Sequence, residues 1–120
     1  MTMTVQPRHT KLGLAAREGN WSYTSYELHE LKEAFDRAAK TWPKWRTFEI
    51  PAMMDSVIAE PMAALDQAIK ASDSARFTAA YEQLTAACNT CHRSADRGVI
   101  IIQSPAGSPY ADQDFRPGKQ

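Results

Sequence analysis

The chain has 120 residues, and its 14 basic and 14 acidic side chains cancel to a formal net charge of zero. This length accommodates one domain. A balanced charge provides no long-range field that would attract nucleic acid or an anionic membrane surface. The longest apolar run, residues 99–102, is far shorter than the roughly 20 apolar residues that a membrane-spanning helix needs. We therefore expect a single domain that binds no nucleic acid and has no membrane span.

The first half of the sequence contains two amphipathic segments, in which apolar side chains recur at three- and four-residue steps. The first, residues 8–18, is short. The second begins at Ser22 or Thr24, where Thr24 and Glu27 have the spacing of a capping box. Pro43 ends this segment, because proline cannot continue a helix. The pattern predicts two helices, the first shorter than the second.

Two further helices are predicted in the second half. One covers residues 51–71 and contains Pro61, which removes a backbone hydrogen bond and predicts a kink or a break. The other is capped by Ser72 or Asp73 and runs to about Arg97. Four amphipathic helices with short connections indicate an all-α antiparallel four-helix bundle with a short first helix and a Pro-kinked third helix.

The two ends of the chain differ in character from the bundle. Residues 1–6 are predicted to be a disordered N-terminus, and residues 7–98 form the helical bundle. Residues 99–120 contain three prolines and two glycines, which do not favour a helix. We expect them to form an extended C-terminal tail packed on the bundle.

The only two cysteines of the chain belong to a C-x-x-C-H sequence, which is typical of covalent haem attachment. Each thiol can add to one vinyl group of the porphyrin, and two cysteines one helical turn apart reach two vinyl groups on one edge. The adjacent imidazole then lies under the ring and can bind the iron. The motif predicts one covalent haem c on Cys88 and Cys91, with His92 as the proximal iron ligand.

The cysteine pair has two other interpretations. A redox-active dithiol gains reactivity at a helix N-terminus, where the dipole lowers the thiol pKa, whereas this pair lies near the C-terminal end of its helix. A zinc-binding helical module would need further ligands beside the two cysteines, and His9 or His29 would have to converge on them. Both readings are less favoured than haem.

The position of the motif separates families of haem proteins. Only 28 residues follow His92, and none is methionine. An attachment motif on the last helix of a four-helix bundle resembles the class II c-type cytochromes, which comprise cytochrome c prime and its six-coordinate relatives. The resemblance extends from about Pro7 to Gly98, and its specific part is Cys88, Cys91 and His92.

This resemblance implies a distal residue from the first helix, where the chain offers His9 and Lys11. His9 shares a helix face with Leu12 and is the candidate sixth iron ligand. The alternative is a partly exposed histidine near a helix start. Rival ligands are three methionines of the third helix, which more often fill cores; they are Met53, Met54 and Met62. His29 is expected to be solvated.

These expectations favour electron transfer with a periplasmic redox protein, whose identity the sequence does not give. The alternative is a five-coordinate haem protein that binds NO or CO. An enzyme is not expected, although weak peroxidase-like activity stays open, and so does a homodimer. Arg93 and Arg97 are candidates for pairing with haem propionates. Haem attachment of this type implies a periplasmic location, and residues 1–7 lack the apolar segment of a secretory signal, so we expect the signal to be absent from this chain.

Overall fold

A computed structural model describes residues 5–41, 44–45, 48–94 and 101–118. Four helices lie in these ranges, namely α1 (Val5–Arg17), α2 (Trp21–Thr41), α3 (Ile50–Lys70) and α4 (Ser74–Ser94). Within the connection between α2 and α3, β1 (Lys44–Trp45) pairs antiparallel with β2 (Phe48–Glu49). None of the described helices combines the length and the hydropathy that crossing a membrane requires.

Each helix packs on its neighbours in the chain, and α1 also packs on α4, which closes the bundle. Three-residue connections, 18–20 and 71–73, join α1 to α2 and α3 to α4. Such short connections make the joined helices antiparallel. The centre of the core is formed by one fully buried leucine from each helix, which are Leu12, Leu31, Leu65 and Leu84. The predicted all-α four-helix bundle is confirmed, and α1, with 13 residues, is its short helix.

The beginnings of α2 and α4 are fixed by side chains that accept backbone hydrogen bonds. Asp73 caps α4, as predicted, because its Oδ1 accepts the Arg76 N–H at 3.0 Å. Asn20 caps α2 in the same way, with its Oδ1 3.2 Å from the Tyr23 nitrogen. The predicted capping box of Thr24 and Glu27 is therefore wrong: Asn20 takes that position, and both residues are buried one turn or more inside α2.

Helix α3 continues through Pro61, so the break that this residue could have caused is absent. The buried apolar stripe runs on both sides of the proline, from Met54 and Ile58 to Leu65 and Ile69. Packing of this stripe against the neighbouring helices stabilises α3 despite the missing backbone N–H.

The described part of the tail, residues 101–118, contains neither helix nor strand and packs on α1 and the start of α2. Phe115 is buried against Leu14 and Ala15. The Asn20 side-chain amide donates to the Phe115 carbonyl at 3.1 Å, and the Arg17 guanidinium donates to the Ala106 carbonyl at 3.3 Å. The extended C-terminal segment thus lies along the bundle and covers part of α1.

Candidate functional site

The three residues of the predicted attachment motif lie on one continuous helix. Helix α4 extends to Ser94 and includes Cys88, Cys91 and His92. Residues at positions i, i+3 and i+4 of a helix share a face. Cys88 is buried, whereas Cys91 and His92 are half-buried. The motif therefore crosses the boundary of the core, with its first thiol inside.

Both thiols are free and lie in surroundings that disfavour the thiolate. Burial raises the pKa of Cys88 to about 12, and the neighbouring Cys91 adds to the effect. Burial also raises the pKa of Cys91. Since the thiolate is the nucleophile in thiol–disulfide exchange, these protonated thiols do not support the alternative of a redox-active dithiol.

The surroundings of the motif are apolar. In an antiparallel bundle the C-terminal end of α4 lies beside the start of α1, the end of α2 and the start of α3. The main core cluster includes Cys88 together with Val5, Phe35 and Met54 from those three segments. A large apolar cofactor tethered at Cys88 would therefore lie among apolar side chains.

The methionines considered as iron ligands lie at two levels of α3. Because a three-residue connection joins α3 and α4, residues equally distant from it lie side by side. Met53 and Met54 are therefore level with the motif, while Met62 is more than two turns away along α3. Met54 and Met62 line a groove of about 930 Å³ between α2 and α3. Of the three methionines, only Met53 and Met54 lie at the level of the bundle where an iron held by His92 would be.

His9 is almost completely buried, with 3% of its surface exposed, and it faces α4. Its Nε2 lies 2.9 Å from the Thr85 hydroxyl, and its Nδ1 lies 3.1 Å from the Tyr81 hydroxyl. The His9 ring stacks on Tyr81 with 4.6 Å between centroids. Burial lowers the pKa of His9 to about 4, so the imidazole is neutral at physiological pH. His9 therefore faces the core, and the alternative of a partly exposed histidine is wrong.

The positions of its hydrogen-bond partners in α4 show how far His9 lies from the motif. Thr85 precedes His92 by seven residues, which is two helical turns or roughly 10 Å along α4. In this conformation, binding to an iron held by His92 would require His9 to release both hydrogen bonds. Ligation by His9 stays a prediction.

Other side chains named from the sequence lie away from the motif face. Lys11 lies over the Tyr110 ring of the tail at 4.7 Å from the centroid. His29 is exposed, with its Nε2 3.0 Å from Glu33. Arg93 is exposed and donates to the Thr90 hydroxyl at 3.2 Å, and Arg97 lies outside the described residues.

Sequence reasoning missed Asn89, Tyr81 and Thr85 as polar partners. In the sequence, Asn89 is one of the two variable residues of C-x-x-C-H, and Tyr81 falls in step with the apolar residues of its helix. One usable signal was Gly13 in the middle of α1, because a Cβ there would lie 2.6 Å from the Tyr81 hydroxyl oxygen. A glycine inside a helix often marks such a close approach.

The donor set has the chemistry that a covalent haem needs. Two free thiols one turn apart and the adjacent imidazole, at an apolar end of the bundle, are the groups that thioether attachment and axial ligation need. Within residues 5–41, 44–45, 48–94 and 101–118, no three His, Cys, Asp or Glu side chains are grouped as metal ligands. The zinc-binding alternative, which needs ligands beside the two cysteines, stays a prediction.

Comparison with known proteins gave no match, whether to a protein family, to a curated protein or to a solved structure. The functional proposal therefore depends on the residues of this chain.

Proposed function

We propose that the protein is a monohaem c-type cytochrome that transfers electrons in the periplasm. One observation carries the proposal: α4 presents Cys88, Cys91 and His92 on one face, at the edge of an apolar core. Haem attachment through C-x-x-C-H needs all three side chains to reach the same porphyrin. Positions i, i+3 and i+4 of a helix share one face, which supports this attachment.

The residues of the chain have separate tasks in this proposal. Cys88 and Cys91 tether the porphyrin edge, and His92 provides the proximal imidazole. Apolar side chains at the same end of the bundle, including Val5 and Met54, keep water from the ring. A bound haem would supply a one-electron couple whose potential depends on its ligands, its hydrogen bonds and its burial. The proposed partner is a periplasmic redox protein.

A second candidate function, binding of NO or CO, is favoured by the placement of His9. Both ring nitrogens of His9 are at hydrogen-bond distance from Tyr81 and Thr85. A haem on the motif would then have no imidazole from α1 at its sixth position. If no methionine of α3 takes that position, it is open and binds diatomic gases. Weak peroxidase-like turnover would need the same open position.

The decisive experiment is to produce the chain with an export signal in a bacterium that has haem-attachment machinery. The denatured protein is expected to gain the mass of one haem. The variant with both Cys88→Ala and Cys91→Ala should gain none, since both thioethers are lost. Colourless wild-type protein, or pigment that passes completely into acidified organic solvent, would overturn the proposal.

The visible spectrum of the reduced protein separates the two candidate functions. A sharp low-spin α band that CO does not change supports electron transfer with two protein ligands. A broad high-spin spectrum that shifts with CO supports gas binding. If His9 is the sixth ligand, His9→Gln converts the first spectrum into the second, whereas the control His29→Gln, on the exposed face, leaves it unchanged.

A further inference from the structure

The side chain of Asn89 binds the backbone of Ile102 through two hydrogen bonds. The Asn89 amide Nδ2–H donates to the Ile102 carbonyl at 2.9 Å, and the Ile102 N–H donates to Asn89 Oδ1 at 2.7 Å. Both distances lie within the normal range for amide hydrogen bonds, and the side chain satisfies both backbone groups of one residue. Asn89 thus pairs with the N–H and the C=O of Ile102, as a residue of an antiparallel β-strand would.

This contact lies inside the attachment motif. Asn89 is the residue that directly follows Cys88 and precedes Thr90 and Cys91 in C-x-x-C-H. Ile102 returns to α4 after an interval of 13 residues, and its side chain packs against the main core cluster, which contains Cys88. Its neighbour Ile101 points outward, with 76% of its surface exposed. The segment is therefore hydrogen-bonded to the residue that follows the first cysteine of the motif.

The tail is held at its other end as well. Gln113 donates to the Tyr23 hydroxyl at 2.6 Å, and the Phe115 carbonyl accepts from Asn20. Among the described hydrogen bonds of the tail, the next one after Ile102 is made by Arg17, with the carbonyls of Pro105 and Ala106. In the described structure, the Asn89 hydrogen bonds are therefore the polar contacts that hold the segment before Pro105.

We propose that Asn89 is a positioning residue that holds residues 101–104 over one edge of the bound cofactor and limits its contact with water. We call residues 101–104 in this position the cover. This inference rests on the proposed function, because the cover acts on a haem at Cys88 and Cys91. Burial disfavours the more highly charged state of a redox centre. The cover therefore raises the reduction potential, and its release lowers it.

The first measurement uses the haem-free chain and tests the contact itself. Hydrogen exchange of the Ile102 amide should be at least about tenfold faster in Asn89→Ala, because the acceptor of that N–H is lost. Asn89→Asp keeps an acceptor oxygen and should fall between Asn89→Ala and the wild type. The matched control is Thr90→Val, since the Thr90 hydroxyl bonds only within α4 in the described structure. Equal exchange in Asn89→Ala and wild type would overturn the proposal.

The second measurement uses the exported, haem-loaded protein and follows its reduction potential by spectroelectrochemical titration. Asn89→Ala should lower the potential, and Thr90→Val should leave it unchanged. Ile102→Pro removes the N–H from the tail side and should lower the potential likewise. The double variant should shift it no further than Asn89→Ala alone, because both changes release the same segment of the tail.

The outcomes separate the two proposals. Exported protein without haem refutes the proposed function and the cover with it. A haem-loaded protein whose potential is the same in Asn89→Ala and wild type refutes the cover and leaves the proposed function intact. Additive shifts from Asn89→Ala and Ile102→Pro would also refute it, since Asn89 would then act on the haem and not through the tail.

Discussion

Helix α4 differs between its middle, from Phe77 to Thr85, and its last turns, from Cys88 to His92. In the middle, Phe77 and Tyr81 are buried and stacked at 5.6 Å, and the Tyr81 and Thr85 hydroxyls bond to His9. In the last turns, Cys88 is buried with a free thiol, and the two motif residues after Thr90 are half-buried. Packing and polar contacts of the chain itself account for the middle of the helix.

The difference indicates which residues the fold needs. Nothing in the described fold requires sulfur at two positions one turn apart. Residues whose chemistry the fold does not use are candidates for function. Four predictions in the haem-free chain test this division.

The largest expected effect is the difference in stability between a substitution at Leu84 and one at Cys88, four residues later. Leu84→Ala should reduce the free energy of unfolding by about 3 kcal/mol, because Leu84 is fully buried and its loss leaves a cavity. Cys88→Ala should cost about 1 kcal/mol or less, since it removes a single sulfur atom. Urea denaturation measures both. Comparable costs for the two variants would show that the motif is a packing element.

The buried His9 predicts a loss of stability in acid. The pKa of His9 is about 4 in the folded chain and 6.5 for an ordinary histidine. Between these pH values the unfolded chain binds a proton that the folded chain does not bind. The free energy of unfolding should therefore be unaffected by His9 above pH 6.5 and fall by roughly 3 kcal/mol as the pH drops to 4.

Carboxylates contribute to the acid response too, so the difference between variants is the quantity to compare. His9→Gln should lose this part of the pH dependence, and His29→Gln, at an exposed position, should retain it. A pH dependence that His9→Gln leaves intact would show that the ring is not held neutral between α1 and α4.

A smaller effect is expected on the opposite side of α1. Arg8 Nη1 lies 3.0 Å from Glu27, whose side chain is completely buried, and the Tyr23 hydroxyl donates to the same carboxylate at 2.8 Å. Arg8→Ala should cost about 2 kcal/mol, because it leaves a buried carboxylate with one partner fewer, while Arg8 is itself a third exposed. Chemical denaturation near pH 7 measures this cost.

The matched control for the Arg8 variant is Arg37→Ala. Arg37 lies 4.0 Å from Glu33, and both side chains are about half exposed. Its removal should change stability by less than about 0.5 kcal/mol. If the two variants cost the same, the buried position of Glu27 has no energetic consequence.

The smallest effect concerns the close contact of α1 with the middle of α4. Gly13→Ala should destabilise the chain by about 1 kcal/mol, since the added Cβ would lie 2.6 Å from the Tyr81 hydroxyl oxygen and 2.7 Å from Cζ. The higher helix propensity of alanine offsets part of this cost. Thermal unfolding measures the net change.

Two further variants control the glycine substitution. Gly107→Ala, where a Cβ meets open space, should be nearly neutral. In a Tyr81→Ala background, Gly13→Ala should become stabilising, because the clash is gone and only the helix propensity remains. A Gly13→Ala variant that is destabilising in both backgrounds would show that the helix α1, and not its contact with α4, is sensitive.

Much of the fold follows from local patterns. Apolar spacing predicted the four helices, the proline- and glycine-rich composition predicted the extended tail, and Asp73 was among the predicted caps. The Thr24 and Glu27 prediction failed because their partners lie elsewhere: Asn20 precedes the helix, and Arg8 is 19 residues away in the sequence. A short pattern cannot reveal a competing cap or a buried ion pair between two helices.

The sequence by itself determined that two thiols and an imidazole lie on one face of a helix, because helical periodicity is a local property and C-x-x-C-H specifies the spacing. Only the tertiary structure decided what His9 and Asn89 contact. His9 meets residues 72 and 76 positions away, and Asn89 meets a tail segment that no periodicity places. Contacts between distant parts of the chain depend on how the helices pack, and that is set by the whole core.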